Sequence, residues 1–247
     1  MKHFTVLVAC VVLVAPVADA QTQASGNQGK TWQDIKTLPD FSGVWEPINP
    51  VLQKDAYAQK LPLNPDGAKT YADLAKLAAA KRHIATRTDM EKGRAIPCQT
   101  RGFPGAMLDS ATLIDFAFTP GRVTVTDTSG WARRILTDGR AHLNLVDQFQ
   151  GDSIGHWEGQ TLVVDTESLD ANNELFVGFY IGANAHVVER YTLTDANTLS
   201  DDITIDAPDI FKEPYKTTMK FRRHADWQIN EYDCYFNNRN NDHKIIR

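Results

Sequence analysis

The stretch Gly151-Asp-Ser-Ile-Gly-His-Trp-Glu-Gly-Gln-Thr-Leu-Val-Val-Asp165 decides the fold of this 247-residue chain. Polar residues alternate with β-branched and aromatic ones on both sides of residues 158–159, which is typical of a β-hairpin with a two-residue turn. Such a turn pairs Asp152 with Asp165. Because side chains alternate between the faces of a strand, one face then carries Asp152, Ile154, His156, Thr161, Val163 and Asp165.

Two interpretations of this face stay open. If it points into the protein, its two aspartates repel each other unless one is protonated or an arginine lies between them, and a carboxyl held protonated suits general acid–base work. If it faces solvent, the packed side is formed by Trp157, Leu162 and Val164. In both cases His156 lies about 13 Å along the strand from Asp152, too far for a contacting dyad.

The rest of the chain repeats the β pattern. Short β-rich runs follow at residues 113–118, 122–126, 131–137, 187–193, 198–205, 217–222 and 227–234. An earlier run, Phe41-Ser-Gly-Val-Trp45, carries a Gly-x-Trp word that resembles the first strand of lipocalin-type barrels. About ten strands joined mostly by hairpins predict an all-β, antiparallel, lipocalin-like barrel of about 8–10 strands, with a cavity for one small ligand.

A helix interrupts this pattern. Tyr71, Leu74, Leu77 and Ala78 recur at spacings of three and four among strong helix formers, so we predict a helical insertion near residues 66–83 that lies on the barrel or caps it. We expect a flexible leader at 21–38, one barrel domain at 39–236 with its insertion at 51–94, and a polar tail at 237–247.

The first twenty residues predict export. A basic start at 1–3, an apolar run at 4–17 and Ala18-Asp-Ala20 form a secretory signal, with cleavage after Ala20 and a periplasmic or secreted product. The word Leu7-Val-Ala-Cys10 loosely resembles a lipoprotein box, which is the alternative. Cys98 and Cys234 then remain as a pair in an oxidising compartment, and we predict a disulfide between them rather than two buried thiols.

Charge and hydropathy argue against nucleic-acid binding and against a membrane span. The chain has 26 basic and 31 acidic residues, a net charge of −5, and no basic cluster, which argues against nucleic acid. No segment after the signal has the roughly 18 apolar residues of a membrane span.

Three words of the sequence carry a resemblance to known proteins. Thr137-Asp-Gly-Arg140, the hairpin at 151–165 and Val187-Val-Glu-Arg-Tyr191 resemble the recurring words of a family of secreted bacterial β-rich proteins. The resemblance covers roughly residues 95–238 and implies a fold and a compartment, but no activity. This chain departs from the family pattern at 143–149 and 182–185, where loops would set substrate choice.

The strand around Glu189 supplies the sharpest candidate site. Val187, Glu189 and Tyr191 share one face, while His186 lies on the other. An inward Glu189 must be paired or neutralised, so it is either the partner of an interior arginine, Arg133 or Arg134 in motif terms, or a catalytic base.

The turn at 137–140 supplies a second candidate, because Arg140 and His142 would lie at a barrel mouth, where small ligands enter. We therefore predict catalytic roles for His186, Glu189, His142 and Asp152. Substrate-binding roles are predicted for Arg134, Arg140, His156 and Tyr191.

No cofactor is predicted. The chain lacks a G-x-S-x-G word, a phosphate loop and a dinucleotide fingerprint. No local spacing brings two metal ligands together, so we predict no metal site, although convergence of His142, His156 and His186 in space stays open. The predicted function is a cofactor-independent lyase, dehydratase or isomerase acting on a small hydrophobic or aromatic molecule. A non-catalytic carrier of such a ligand and a solid envelope module are the alternatives.

Overall fold

The computed structural model describes residues 29–48, 60–80, 102–109, 112–128, 130–143, 146–176 and 178–230. Two helices and eleven strands lie in these ranges. In chain order they are α1 (Trp32–Ile35), β1 (Val44–Pro47), α2 (Pro65–Ala79), β2 (Ile114–Thr119), β3 (Arg122–Asp127), β4 (Ala132–Leu136), β5 (Asp152–Glu158), β6 (Thr161–Glu167), β7 (Glu174–Phe176), β8 (Phe179–Tyr180), β9 (His186–Asp195), β10 (Thr198–Asp206) and β11 (Tyr215–His224).

Nine of these strands form a closed barrel in the order β1-β11-β10-β9-β6-β5-β4-β3-β2. β1 closes the barrel because it pairs with β11 on one side and with β2 on the other. The prediction of an all-β barrel of 8–10 strands is confirmed. β7 and β8, which the sequence pattern did not predict, form a separate two-stranded sheet.

One pair of neighbouring strands in the barrel is parallel. Ile135 of β4 pairs with Ser153 of β5, and Leu136 pairs with Ile154, in the parallel sense. The prediction of an antiparallel barrel is therefore wrong at this seam. Parallel neighbours need a long crossover connection, and residues 137–151, called the crossover loop below, provide it.

The β5–β6 hairpin confirms the predicted faces but not the predicted register. Asp152 pairs with Glu167 and Asp165 with Ile154, because the turn lies at 159–160 and Glu158 pairs with Thr161. The predicted pairing of Asp152 with Asp165 is wrong by two residues. A two-residue shift preserves the faces, whereas a one-residue shift would exchange them.

The predicted shared face points outward. Trp157, Leu162 and Val164 are buried on the other side of the hairpin, so the solvent-facing interpretation is the correct one.

Aromatic side chains pack against one another inside the barrel. The Phe116 ring on β2 meets the Tyr191 ring on β9 across the barrel, with centroids 5.5 Å apart, and Phe118 meets Trp157 of β5 at 5.9 Å. Trp45 and Phe221 are also fully buried. Packed aromatic rings therefore occupy this part of the interior, where we expected a ligand cavity.

The predicted helical insertion is confirmed as α2. Asn64 caps it by accepting a hydrogen bond from the Gly67 amide at 2.8 Å, and Pro65 begins it. Its buried Tyr71 packs on Phe179 of β8, with ring centroids 5.7 Å apart. The helix is thus anchored through β7 and β8.

Both ends of the described chain differ from expectation. The described part of the predicted flexible leader, residues 29–38, carries α1, which has a capping box between Thr31 and Asp34. At the other end, the last predicted strand is wrong in its described part, because β11 ends at His224 and residues 227–230 are not in a strand.

Several predictions lie outside the described residues. These are the signal at 1–20, the lipoprotein-like box, Cys98, Cys234 and the tail at 237–247. Export and the disulfide therefore stay predictions. In the described part of the chain, no helix has the length and apolar character needed to cross a bilayer.

Candidate functional site

Four titratable side chains form a continuous chain on the outer face of the barrel. Asp152 begins β5, Asp165 lies near the end of β6, and His186 begins β9, so the strand order brings them to one end of the barrel. His142, in the crossover loop, is the fourth residue. We call Asp152, His142, Asp165 and His186 the outer relay.

Asp152 fixes the first link of the outer relay. Its Oδ2 accepts a hydrogen bond of 2.8 Å from the Leu143 amide and lies 3.3 Å from His142 Nδ1. The Asp152 side chain is only 5% exposed, although it belongs to the outward face, because the crossover loop covers it. Its Oδ1 accepts no hydrogen bond from the residues that the structure describes.

Asp165 joins the two histidines. Its Oδ1 lies 3.3 Å from His142 Nε2 and 2.7 Å from His186 Nε2. Both nitrogens of His142 therefore face carboxylate oxygens, which only accept hydrogen bonds when ionised. If Nδ1 donates to Asp152, Nε2 carries no hydrogen and its lone pair faces the Asp165 oxygen.

The carboxylates outnumber the imidazoles at this end of the barrel. Glu167 pairs directly with Asp152 across β5 and β6, and Asp165 follows two residues away on the same outward face. Like charges at such positions destabilise a sheet. Within the described ranges, the ion-pair partners of Asp152 and Asp165 are the two relay histidines, and Glu167 has none.

A groove of about 550 Å³ adjoins the outer relay. It runs along the parallel seam, and the residues that matter here are Trp131, Arg134, Leu143, Phe149 and Asp152. The Trp131 and Phe149 rings lie 6.0 Å apart at an angle of 32°. Arg134 is exposed and forms no ion pair with any described residue. The groove is within the size range of small-molecule sites, and it combines an aromatic wall, an exposed arginine and a carboxylate.

Glu189 lies inside the barrel, away from His186, because the two residues are on opposite faces of β9. Arg133 binds it bidentately, with Nη1–Oε1 at 2.9 Å and Nη2–Oε2 at 2.5 Å. Arg133 also donates to Ser153 and Thr166, and Tyr191 donates to Glu189 at 2.7 Å. These contacts support the structural interpretation, in which Glu189 is the ion-pair partner of an interior arginine, and that arginine is Arg133.

The Glu189 carboxylate stabilises the charge on Arg133. Burial opposes the charge of Arg133, but the Glu189 carboxylate outweighs burial and raises the pKa of the guanidinium. Burial raises the pKa of Tyr191 well above its ordinary value, and the neighbouring Asp201 and Glu189 add to the shift. Tyr191 therefore holds its proton and acts as a donor within this cluster.

Asp201 is the unusual member of the interior cluster. It pairs with Tyr191 across β9 and β10 and is fully buried. Although the Tyr191 hydroxyl is close, it donates to Glu189, and neither Asp201 side-chain oxygen has a hydrogen bond of normal geometry within the described chain. Burial, and then the charge of Glu189, raise the pKa of Asp201 well above the usual range. Burial therefore favours the protonated form of Asp201.

The other predicted binding residues do not join the outer relay. Arg140 pairs with Asp138 within the crossover loop, which holds the pKa of that carboxyl below its usual value. His156 binds Glu158, which also pairs with Arg190. Tyr191 belongs to the interior cluster. Of the predicted residues, the structure brings together His142, Asp152 and His186, with Arg134 on the groove beside them.

The sequence indicated Asp165 only as a possible acid–base carboxyl opposite Asp152, outside the predicted site residues, and it indicated no role for Trp131 or Phe149. The available signal for Asp165 was its place on the same hairpin face as Asp152. For the two aromatic residues there was no local signal, because the crossover loop brings them together.

A second pocket lies apart from the outer relay. It measures about 320 Å³ and is lined mainly by Leu38, Phe41, Phe116 and Phe118, beside α1. The Phe41 ring lies 5.2 Å from Phe116 and 5.7 Å from Phe118, so the pocket wall is largely aromatic. Its lining also includes Lys36 and Asp40, but no histidine.

No protein-family model matches the chain, and the curated proteins contain no significant match to it. The resemblance to secreted β-rich proteins therefore stays a prediction, and the function must be argued from the geometry of the site.

Proposed function

We propose that the protein is a cofactor-independent enzyme that moves a proton on a small, anionic, partly aromatic molecule bound in the groove. The observation that carries this proposal is the outer relay, which runs from a carboxylate on the groove wall to a half-exposed histidine. Alternating carboxylates and imidazoles at 2.7–3.3 Å form a path along which a proton can pass to solvent.

The groove suits the proposed substrate. Arg134 would hold a carboxylate or phosphate group through charge-assisted hydrogen bonds, since it has no ion-pair partner among the described residues. Trp131 and Phe149 would pack against an aromatic or apolar part. A substrate held at both ends would present a carbon–hydrogen bond to the groove wall, where Asp152 lies.

Asp152 is the proposed general base. Its Oδ1 would take a proton from a carbon next to the carbonyl or carboxyl group, and the electron pair of the broken bond would move into that group. In an isomerase the proton returns to a second carbon, whereas in a lyase the electrons expel a leaving group. After the carboxyl group rotates, the protonated oxygen faces His142 Nδ1. The proton passes to Nδ1 while Nε2 releases one to Asp165, so Asp152 is again a carboxylate.

Deuterium exchange tests the proposal and does not require an identified substrate. The purified protein is incubated in D₂O with a panel of small aromatic and aliphatic 2-oxoacids and hydroxyacids, and proton loss at carbon is followed by NMR. We expect enzyme-dependent exchange of at least one panel member. Asp152→Asn should abolish this exchange, whereas Asp202→Asn, an exposed carboxylate on β10, should retain it. Exchange that survives in Asp152→Asn would contradict the assignment of the base.

A carrier is the second candidate, favoured by the aromatic pocket beside α1. A carrier would retain an apolar ligand in that pocket without changing it. Equilibrium dialysis of the same panel, with Phe116→Ala as the variant, distinguishes the two functions. Retention without exchange, lost in Phe116→Ala, would support the carrier and overturn the enzyme.

A further inference from the structure

The slot between His142 and Asp165 has the geometry of a cation site. A ring nitrogen of His142, a carboxylate oxygen of Asp165 and a carboxylate oxygen of Glu167 all lie within 4.8 Å of one another. The His142–Asp165 separation is 3.3 Å. Ligand atoms around a tetrahedral zinc lie about 3.3 Å apart, since each is bound at roughly 2.0–2.2 Å.

From this arrangement we infer that His142, Asp165 and Glu167 form a binding site for a divalent transition metal, with Zn²⁺ as the best-matched ion. Zinc binds histidine nitrogen and carboxylate oxygen, and catalytic zinc sites have three protein ligands and an open fourth position. A nitrogen ligand favours zinc over calcium and magnesium, which prefer oxygen. The site goes beyond the proposed enzyme and does not depend on it.

Asp152 supplies a second observation in favour of the site. It is a buried carboxylate 3.3 Å from Nδ1 of His142, so Nδ1 can donate to it, and Nε2, 3.3 Å from Asp165 Oδ1, is then available to a metal. Metal-binding histidines are typically oriented in this way by an outer carboxylate. His186 has the corresponding place on the other side, where its Nε2 lies 2.7 Å from Asp165 Oδ1. We expect His186 to orient Asp165 without binding the metal itself.

The negative charge of the nearby carboxylates favours binding of a cation. Asp152 and Glu167 are cross-strand neighbours and Asp165 lies on the same face, and no lysine or arginine of the described chain forms an ion pair with any of them. A divalent ion would offset the repulsion among these carboxylates. The ion would bind a His142 nitrogen through which the outer relay passes a proton. Metal binding would therefore block proton transfer from the groove along the outer relay.

Titration calorimetry with Zn²⁺ tests the site in the full mature chain, and Co²⁺ absorption provides a spectroscopic signature of an imidazole–carboxylate site. We expect one equivalent to bind. His142→Ala should weaken binding by about 100-fold or more, and Asp152→Asn by about 10–100-fold, the usual range for an outer partner. His224→Gln removes a histidine that pairs with Glu46 elsewhere on the barrel, so it is the matched control and should bind like the wild type.

Four outcomes would overturn the site. The first is that the protein does not bind Zn²⁺ at millimolar concentration, and the second is that His142→Ala binds Zn²⁺ as tightly as the wild type. The third is that Glu167→Gln and Asp165→Asn bind Zn²⁺ at wild-type strength. The fourth is that the wild type binds Ca²⁺ as tightly as Zn²⁺. None of them depends on turnover. Deuterium exchange that persists in a protein without metal affinity would leave the proposed enzyme standing, whereas metal binding without exchange would support the site alone.

Discussion

Arg133 and Glu189 form a bidentate ion pair across the barrel interior, between strands that are not neighbours in the sheet. Removal of one partner from such a pair leaves the other buried and uncompensated, which costs about 3–5 kcal/mol. Glu189→Ala should therefore lower the free energy of unfolding in urea by that amount.

The double variant Arg133→Met with Glu189→Leu distinguishes a structural pair from a catalytic one. It removes both charges and should recover most of the lost stability, because a buried pair contributes little relative to apolar residues of similar size. If Glu189→Ala were as stable as the wild type but inactive, the structural interpretation of Glu189 would be wrong.

Asp201 predicts an unusual dependence of stability on pH. Its pKa is raised in the folded protein, so between the unfolded and folded pKa values the folded state binds more protons, and stability falls as pH rises. Asp201→Asn removes this loss. The variant should match the wild type near pH 4 and exceed it in urea unfolding near pH 8. Asp202→Asn, at the next position of β10, should show no such gain.

Gly151 holds the end of the crossover loop against β6. Its φ is +67°, and a Cβ there would lie 2.6 Å from Thr166 and 2.8 Å from the Glu167 carbonyl oxygen. Gly159 is the matched control, because its φ is +61° and a Cβ there would meet nothing within 4 Å. Gly159→Ala should cost about 1–2 kcal/mol of unfolding free energy from backbone strain alone. Gly151→Ala should cost more, and equal losses would show that the contact with β6 is unimportant.

Arg134 should affect substrate affinity more than rate. Loss of a hydrogen-bonded charge costs about 1.5–3 kcal/mol, so Arg134→Gln should raise the half-saturating concentration of an exchanging 2-oxoacid by roughly 10–100-fold. The maximum exchange rate should change little. Arg222→Gln, which removes an exposed arginine paired with Glu46, is the control. A reduced maximum rate at unchanged half-saturation would assign Arg134 to the chemical step instead.

His186 lies at the solvent end of the outer relay, where its side chain is 39% exposed, whereas that of His142 is only 15% exposed. His186→Ala should slow deuterium exchange, and imidazole in the buffer should restore it, because a small base can reach the exposed position. His142→Ala should resist rescue. Equal rescue of both variants would contradict a directional path from the groove to solvent.

Local patterns were enough to predict the strand faces and the helix. The face shared by Asp152 and Asp165 is correct even though their pairing is not, because alternation depends only on odd and even spacing. The exact register depended on whether the turn used residues 158–159 or 159–160, and Gly159 fits either. The inward direction of Glu189 was predictable for the same reason, since it alternates with His186.

The candidate site depends on long-range contacts that no local pattern encodes. His142 reaches Asp152 and Asp165 because the connection after β4 crosses over to a parallel neighbour, and the hairpin pattern suggested no such crossover. The choice between Arg133 and Arg134 also depended on which face of β4 is inward. Trp131 and Phe149 are 18 residues apart and meet only because the loop folds back.

The barrel is assembled from two curved pieces, β2–β3–β4 and β5–β6–β9–β10–β11–β1, and each of the two joints between them has only two registered residue pairs. Arg133 belongs to the first piece, and its bonds to Ser153, Thr166 and Glu189 all reach the second. The Arg133 side chain therefore connects the two pieces at the parallel β4–β5 joint, where the groove and the crossover loop also lie. Without the Arg133 side chain, β2, β3 and β4 would separate from the rest of the barrel as one unit. Native-state hydrogen exchange of these three strands would then rise together.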